Sequence, residues 1–331
     1  MSERSLRAAA TTRARGVASA AARSARLARL EARVARATRS GRPIALVIGN
    51  CQARPVHDLL AASPTFAAAF ALVPVPAIHE ITPAEVRTLR RVLARAELIV
   101  GQPIGAGYRG LGLGIDELVA RAPAGCRTIR WPSLFWDRLF PFSVYVHTAP
   151  RASVEAPVVH YHDVRFLACA AAGMDGAAAR GLLREHVAPA AGLAALHEDM
   201  WRLHGAIDDY CDVKVHDWIG APEREAAAFW TINHPARCVL EEIVAQIHAR
   251  LGLGYVPVPG PEPLAHIVAP IEAAVLGDLP GTPRTDWIAY GRTITRDTLL
   301  DAHLAWYAAH PEVVTAGAAE HARRRELLEL P

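Results

Sequence analysis

The stretch Ile44-Ala45-Leu46-Val47-Ile48-Gly49-Asn50-Cys51-Gln52-Ala53-Arg54-Pro55 constrains the fold most. Its apolar run is short and rich in β-branched residues, which fits a buried strand. Gly49 lets the chain turn sharply. Pro55 suits the first turn of a helix, where a missing N–H costs nothing, and Val56, Leu59 and Leu60 follow at helical spacing. The pattern predicts strand, turn, helix, with Asn50, Cys51 and Gln52 on the turn. A thiol there lies near a helix N-terminus, so the expectation is a depressed pKa and a reactive thiolate. The plain structural alternative is a small buried cysteine, and two amide side chains beside it weigh against that.

The same alternation continues to about residue 135. Strands are expected at 44–48, 71–76, 97–101 and 127–131, and helices at 54–62, 83–95 and 115–122. Thr82-Pro83-Ala84-Glu85 starts the second helix with a cap, a proline and an acid. This spacing argues for a parallel α/β sheet, whose ligands bind at the carboxyl ends of strands. Three polar sites fall there: Asn50-Cys51-Gln52, Gln102 and Ser133. Gly110-Leu111-Gly112-Leu113-Gly114 lacks the GxGxxG spacing of a dinucleotide loop, and that reading is rejected.

Residues 1–42 stand apart. They hold 11 arginines against Glu3 and Glu31, a net +9; the whole chain is +3, which leaves residues 43–331 at −6. Leu27, Leu30 and Val34 recur at helical spacing, so 20–38 is expected to form a basic amphipathic helix. A solvated extension, dispensable for folding, is one reading; contact with an anionic membrane or partner surface is the other. The boundaries read from sequence are therefore 1–42 for this extension, 43–160 for an α/β subdomain and 161–331 for a mainly helical part.

The remainder is helical in pattern, at 164–173, 176–187, 192–210, 235–251, 263–276 and 296–328 with a break at Pro311. His160, His162 and Asp163 are close in sequence but lack a third ligand fixed by spacing, so no metal is expected. An apolar run ending in Asn233-His234-Pro235 precedes a helix whose stripe is Val239, Leu240, Ile243, Val244 and Ile247. His234 is thus expected at that helix's N-terminus, where the dipole disfavours the imidazolium; a neutral imidazole can act as a general base, or simply cap the helix. The five cysteines (Cys51, Cys126, Cys169, Cys211, Cys238) show no CxxC spacing, so neither a zinc site nor a disulfide framework follows and a reducing cytoplasmic setting fits. No run of 18 apolar residues occurs, and no membrane span is expected.

Taken together, Gly49-Asn50-Cys51-Gln52, Gln102-Pro103-Ile104, Pro132-Ser133-Leu134-Phe135, Tyr161-His162-Asp163, Asp212 through Ile219 and Thr231 through Pro235 resemble the WcbI-type polysaccharide-biosynthesis proteins over roughly residues 44–254. The resemblance implies a CoA-binding acetyltransferase of capsular polysaccharide synthesis, with acetyl-CoA as acyl donor. It also implies a small α/β subdomain in a predominantly helical cradle, with CoA in a deep pocket; the alternating strands and helices are themselves read as a parallel sheet of SGNH- or flavodoxin-like three-layer type. The partners it implies are acyl-CoA and a sugar or polysaccharide acceptor, without nucleic acid. The arm lies outside the match and inherits nothing from it.

Acyl transfer needs a nucleophile or base, an oxyanion stabiliser and exclusion of water. Cys51 and His234 are the candidates for the first. Gly49, Asn50, Gln52, Arg54, Gln102, Ser133, His162 and Asn233 are the candidates for holding the cofactor, with Arg54 the nearest cation for its phosphates. An SGNH-like esterase or thioesterase, and a non-catalytic CoA- or glycan-binding protein, remain as alternatives.

Overall fold

A computed structural model gives the fold, and it describes residues 24–149 and 152–331. The described residues form two compact units, one of 24–131 with 244–258, the other drawn from 132–243 with 259–331.

In the first unit, helix α1 (24–39) leads into strand β1 (Ile44–Ile48). Helices α2 (Ala53–Ala62) and α3 (Pro64–Ala69) follow, then β2 (Ala71–Pro74), α4 (Pro83–Leu93), β3 (Ala96–Gly101), α5 (Ile115–Val119) and β4 (Arg127–Arg130). The four strands are all parallel, in the order β2-β1-β3-β4. The expected elements are present; the short helix α3 is additional, capped by Ser63 and begun by Pro64.

β1 is buried along its whole length, which explains its continuous apolar run. Ile44, Leu46 and Ile48 share one face and join a core with Val86, Leu89 and Leu93 of α4 and Ile115 and Leu118 of α5. Leu30 and Ala37 of α1 belong to the same core. The described half of the basic extension is therefore built into the first unit, and the part of the expected helix before residue 24 lies outside the described residues. Because the chain moves from β1 to β2 and then back past β1 to β3, right-handed crossovers place α2 and α4 on opposite faces.

α4 has the expected start. Thr82 N–H donates to Glu85 Oε2 at 2.9 Å, and Glu85 N–H approaches Thr82 Oγ1 at 3.4 Å, a capping box. Glu85 is buried, with Arg26 Nε of α1 2.7 Å from its carboxylate.

The second unit is mainly helical, with helices Val164–Ala171, Gly176–Glu185, Ala190–Tyr210, Arg296–Ala309, Pro311–Glu320 and Ala322–Leu327. Its core includes Trp136, stacked on Phe229 with ring centroids 5.9 Å apart and donating through Nε1 to Glu225. Asp208, one of the acids clustered near Cys211, is buried and accepts the Val215 and His216 backbone N–H groups at 2.7 Å each. The helix expected at 263–276 is corrected: Ile267–Val268 pairs with Trp287–Ala289, which pairs with Arg292–Ile294, and only Ala273–Leu276 is helical. Helix Arg237–Leu251 begins in the second unit and contributes its residues from Val244 to the first.

Candidate functional site

The site in the first unit grows from the carboxyl ends of β1 and β3. These neighbours are where the strand order reverses, the position at which open α/β sheets bind ligands. Gln102 follows β3, and its backbone N–H extends the ladder to Ile48 O at 2.9 Å. Its side chain then turns across the end of β1. Oε1 accepts the Asn50 N–H at 2.7 Å, and Nε2 donates to Gln52 Oε1 at 3.0 Å. Asn50 Oδ1 in turn accepts the Gln52 N–H at 2.9 Å. Gln52 and Gln102 are buried. A β-carbon on Gly49 would lie 2.4 Å from Gln102 Oε1, so glycine is required there by close approach rather than by a positive φ.

The three amides thus tie the turn to the end of β3. Two of the residues expected to touch a cofactor, Gln52 and Gln102, support the turn from beneath, and the turn presents Cys51. Cys51 is half-buried, and the expected thiolate is corrected: burial pushes its thiol above the usual value, outweighing the backbone N–H groups of Cys51 and Gln52 that favour the charged form, while Glu80 raises it further. The helix terminus does not compensate for lost solvation.

Cys51 lines a cavity of about 400 Å³ together with Arg26, Arg29, Arg33, Arg54 and Glu80. Arg54 is exposed and pairs with Asp58 at 2.7 Å. The arginines of α1 were missed in the sequence as site residues. Their signal is the spacing Arg26, Arg29, Arg33, which flanks the apolar stripe of Leu30, Val34 and Ala37.

The other candidates lie in the second unit. Ser133 falls just beyond its start at Pro132. His162 is buried, with Nδ1 2.7 Å from the Tyr307 hydroxyl and Nε2 3.0 Å from Val154 O, so both ring nitrogens are engaged inside the unit. Asn233 is also buried; its Oδ1 accepts the Tyr161 hydroxyl at 2.7 Å and Thr231 Oγ1 at 3.3 Å. Among the described residues, no three His, Cys, Asp or Glu side chains are grouped to hold a metal ion.

His234 is not at a helix N-terminus. It lies in a two-residue strand paired with Thr231, and the helix begins at Arg237. Its imidazole is nonetheless held neutral, its pKa pushed down to about 4 by burial and by the neighbouring His266 and His160, against a hydrogen bond to the Leu264 backbone. A carbonyl can only accept, so that ring nitrogen carries the proton. Nδ1 is buried without a hydrogen-bond partner among the described residues and keeps its lone pair.

These features define a class: an α/β protein that presents a thiol on an amide-locked turn at the switch point of a parallel sheet. Residues 44–255 match the family of the polysaccharide biosynthesis enzyme WcbI, and the chain belongs to that family. A solved structure of WcbI, described as a novel polysaccharide biosynthesis enzyme in a native form without a disulfide bond between coenzyme A and one of its cysteines, has the same fold. The TM-score is 0.70 at 21% identity, over 87% of this chain and 98% of that one. No curated protein matches. Among the described residues no helix is long and apolar enough to cross a membrane.

Proposed function

We propose that this protein transfers an acyl group, acetyl in the simplest case, from coenzyme A to a sugar hydroxyl during synthesis of a capsular or other surface polysaccharide. The observation that carries the reading is the turn: a cysteine held by Gln102, Asn50 and Gln52 at the mouth of an arginine-lined cavity, in a family whose solved member is described with coenzyme A and a cysteine. The strand order supports a flavodoxin- or SGNH-like three-layer arrangement of the first unit. The five free cysteines support a reducing cytoplasmic setting.

In the reaction, the acceptor oxygen attacks the thioester carbonyl, the carbon–sulfur bond breaks, and the hydroxyl proton passes to a base and then to the departing CoA thiolate. His234, neutral with a bare Nδ1, has the properties of that base. Cys51, protonated at neutral pH, lines the thioester site rather than displacing CoA.

The test is a thermal-shift screen against CoA, acetyl-CoA, NAD and ATP, followed by turnover of acetyl-CoA with a glycan acceptor. Stabilisation by CoA and acetyl-CoA but not NAD, with acceptor-dependent release of CoA, is the expected result. Acetate release without acceptor would reassign the site to a hydrolase, and binding without turnover would leave a CoA- or glycan-binding protein.

A further inference from the structure

Helix α1 lies outside the stretch that matches the family, which begins at residue 44, yet it borders the cavity that contains Cys51. Arg26, Arg29, Arg33 and Arg36 recur at intervals of three and four residues, so they form one ladder beside the buried stripe. At 1.5 Å per residue it is about 15 Å long. Arg26 is held by Glu80 and Glu85, with Nη1 3.0 Å from Glu80 Oε2 and Nη2 2.8 Å from Glu85 Oε2. Arg29, Arg33 and Arg36 are exposed.

The cavity at Cys51 does not end the groove. A second cavity of about 340 Å³ shares Arg33, Arg54 and Pro74 with it, and adds Arg36 and Arg42. A continuous depression therefore runs from the thiol outward along α1, lined by arginines, with Glu80 paired to Arg26 and Asp58 to Arg54, on a body that is otherwise acidic. Forked guanidinium donors at such spacing match phosphate oxygens, and two of them, Arg26 and Arg54, have their orientation set by carboxylates.

We propose that this groove is a binding site for phosphate groups of a ligand whose reactive end lies at Cys51, and that α1, which lies outside the residues that match the family, supplies its arginines Arg29, Arg33 and Arg36. The phosphates have two chemical sources, coenzyme A itself or a sugar acceptor carried on a diphosphate; both rest on the function proposed above, whereas the groove's affinity for phosphate does not. α1 thus has a double role. Its apolar stripe completes the core around β1, and its basic edge faces the groove.

The experiment uses the full chain and its triple variant Arg29→Gln/Arg33→Gln/Arg36→Gln, whose substituted side chains are exposed. Calorimetric titration is carried out with inorganic pyrophosphate, CoA and pantetheine, which lacks phosphates. The wild type should bind pyrophosphate, and the variant should bind it at least about tenfold more weakly, the loss of roughly one charge-assisted contact. If CoA weakens in parallel while pantetheine does not, the phosphates are those of CoA. If pyrophosphate weakens and CoA does not, they belong to the acceptor, and the groove stands. Unchanged pyrophosphate affinity in the variant, or no pyrophosphate binding by the wild type, overturns the proposal. A wild type that binds pyrophosphate but neither CoA nor pantetheine would instead sink the acyltransferase reading. If the glutamine variant fails to melt cooperatively, Arg29→Lys/Arg33→Lys replaces it: charge is kept, the forks are lost, and binding must still fall.

Discussion

Gln102 Nε2 donates to Gln52 Oε1 at 3.0 Å, and neither side chain is reached by solvent. The same Gln102 accepts the Asn50 N–H through Oε1, in the space that any β-carbon on Gly49 would need. Gln102→Leu keeps the volume but removes the hydrogen bonds to Gln52 Oε1 and to the Asn50 N–H. At roughly 1–3 kcal/mol for each buried group that loses this partner, the loss should be about 2–6 kcal/mol in urea unfolding. Gly49→Ala should also destabilise, through the 2.4 Å approach to Gln102 Oε1. Combined with Gln102→Ala, it should cost less than the two single changes added, because the clash partner is gone. Additive losses would show that the turn does not depend on this contact.

The arm yields a second prediction. Leu30 is buried in the core shared by β1 and α4, so Leu30→Ala should lose about 2–3 kcal/mol, the lower part of the range for core leucines. A solvated extension would give a change within about 0.5 kcal/mol. Chemical denaturation of the full chain separates the two outcomes.

The sheet and its turn were legible in the sequence because each local preference agrees with the fold there. The run Ile44–Ile48 is buried along its whole length, Gly49 is forced by Gln102, and Thr82-Pro83-Ala84-Glu85 writes out its own cap. What failed had physical imitators. Leu264, Ile267, Val268, Ile271 and Val275 carry helical spacing, but they fall largely in loop and strand, and strands of two or three residues are too short to display a period of two. The run before His234 resembles a helix entry because Pro235 follows it, yet the backbone pairs His234 with Thr231 first. In the arm, the abundance of arginine masked the fact that its few apolar residues were enough to dock. The strand order β2-β1-β3-β4, which brings Gln102 beside the Gly49 turn, has no local signature at all.

The reactivity of Cys51 can be measured directly. Burial raises its thiol above the usual value and the Glu80 carboxylate adds to this, so the thiolate is a minor form at pH 7. Iodoacetamide labelling of Cys51, followed by peptide mass spectrometry, should accelerate only in strongly alkaline solution. Rapid labelling at pH 6–7 would restore an activated thiolate and with it a covalent route through the enzyme.

Acid should unfold the protein through its buried histidines. His204, His234 and His303 are each pushed down to about 4, in every case chiefly by burial. In the unfolded chain each titrates near its ordinary value, about 6.5. Between those values the unfolded state binds more protons, so stability is complete above about pH 6.5 and falls as pH drops toward 4. Each group contributes about 1.4 kcal/mol per pH unit in that window. Urea midpoints at pH 7, 6 and 5 should decline with an uptake of roughly three or more protons on unfolding, since His162, His197, His248, His266 and His321 are also lowered by burial. A flat profile would mean that these rings are already charged in the fold.

The last prediction concerns His234. Its ring is neutral, one nitrogen is satisfied by the Leu264 backbone, and Nδ1 is buried without a hydrogen-bond partner among the described residues. A bare lone pair is what proton abstraction requires. His234→Ala should lower turnover by roughly 10²–10⁴, the usual worth of general-base assistance, while CoA affinity is kept. Because the group stays neutral down to about pH 4, wild-type turnover should show no histidine-like fall between pH 7 and 5.5 under conditions where the protein remains folded. His234→Gln, which preserves polarity and much of the volume, should fold as the wild type does and remain slow. If His234→Gln turns over normally, the ring serves only the packing around Tyr161 and His266, whose centroids lie 6.3 and 5.1 Å away, and the base must be sought elsewhere.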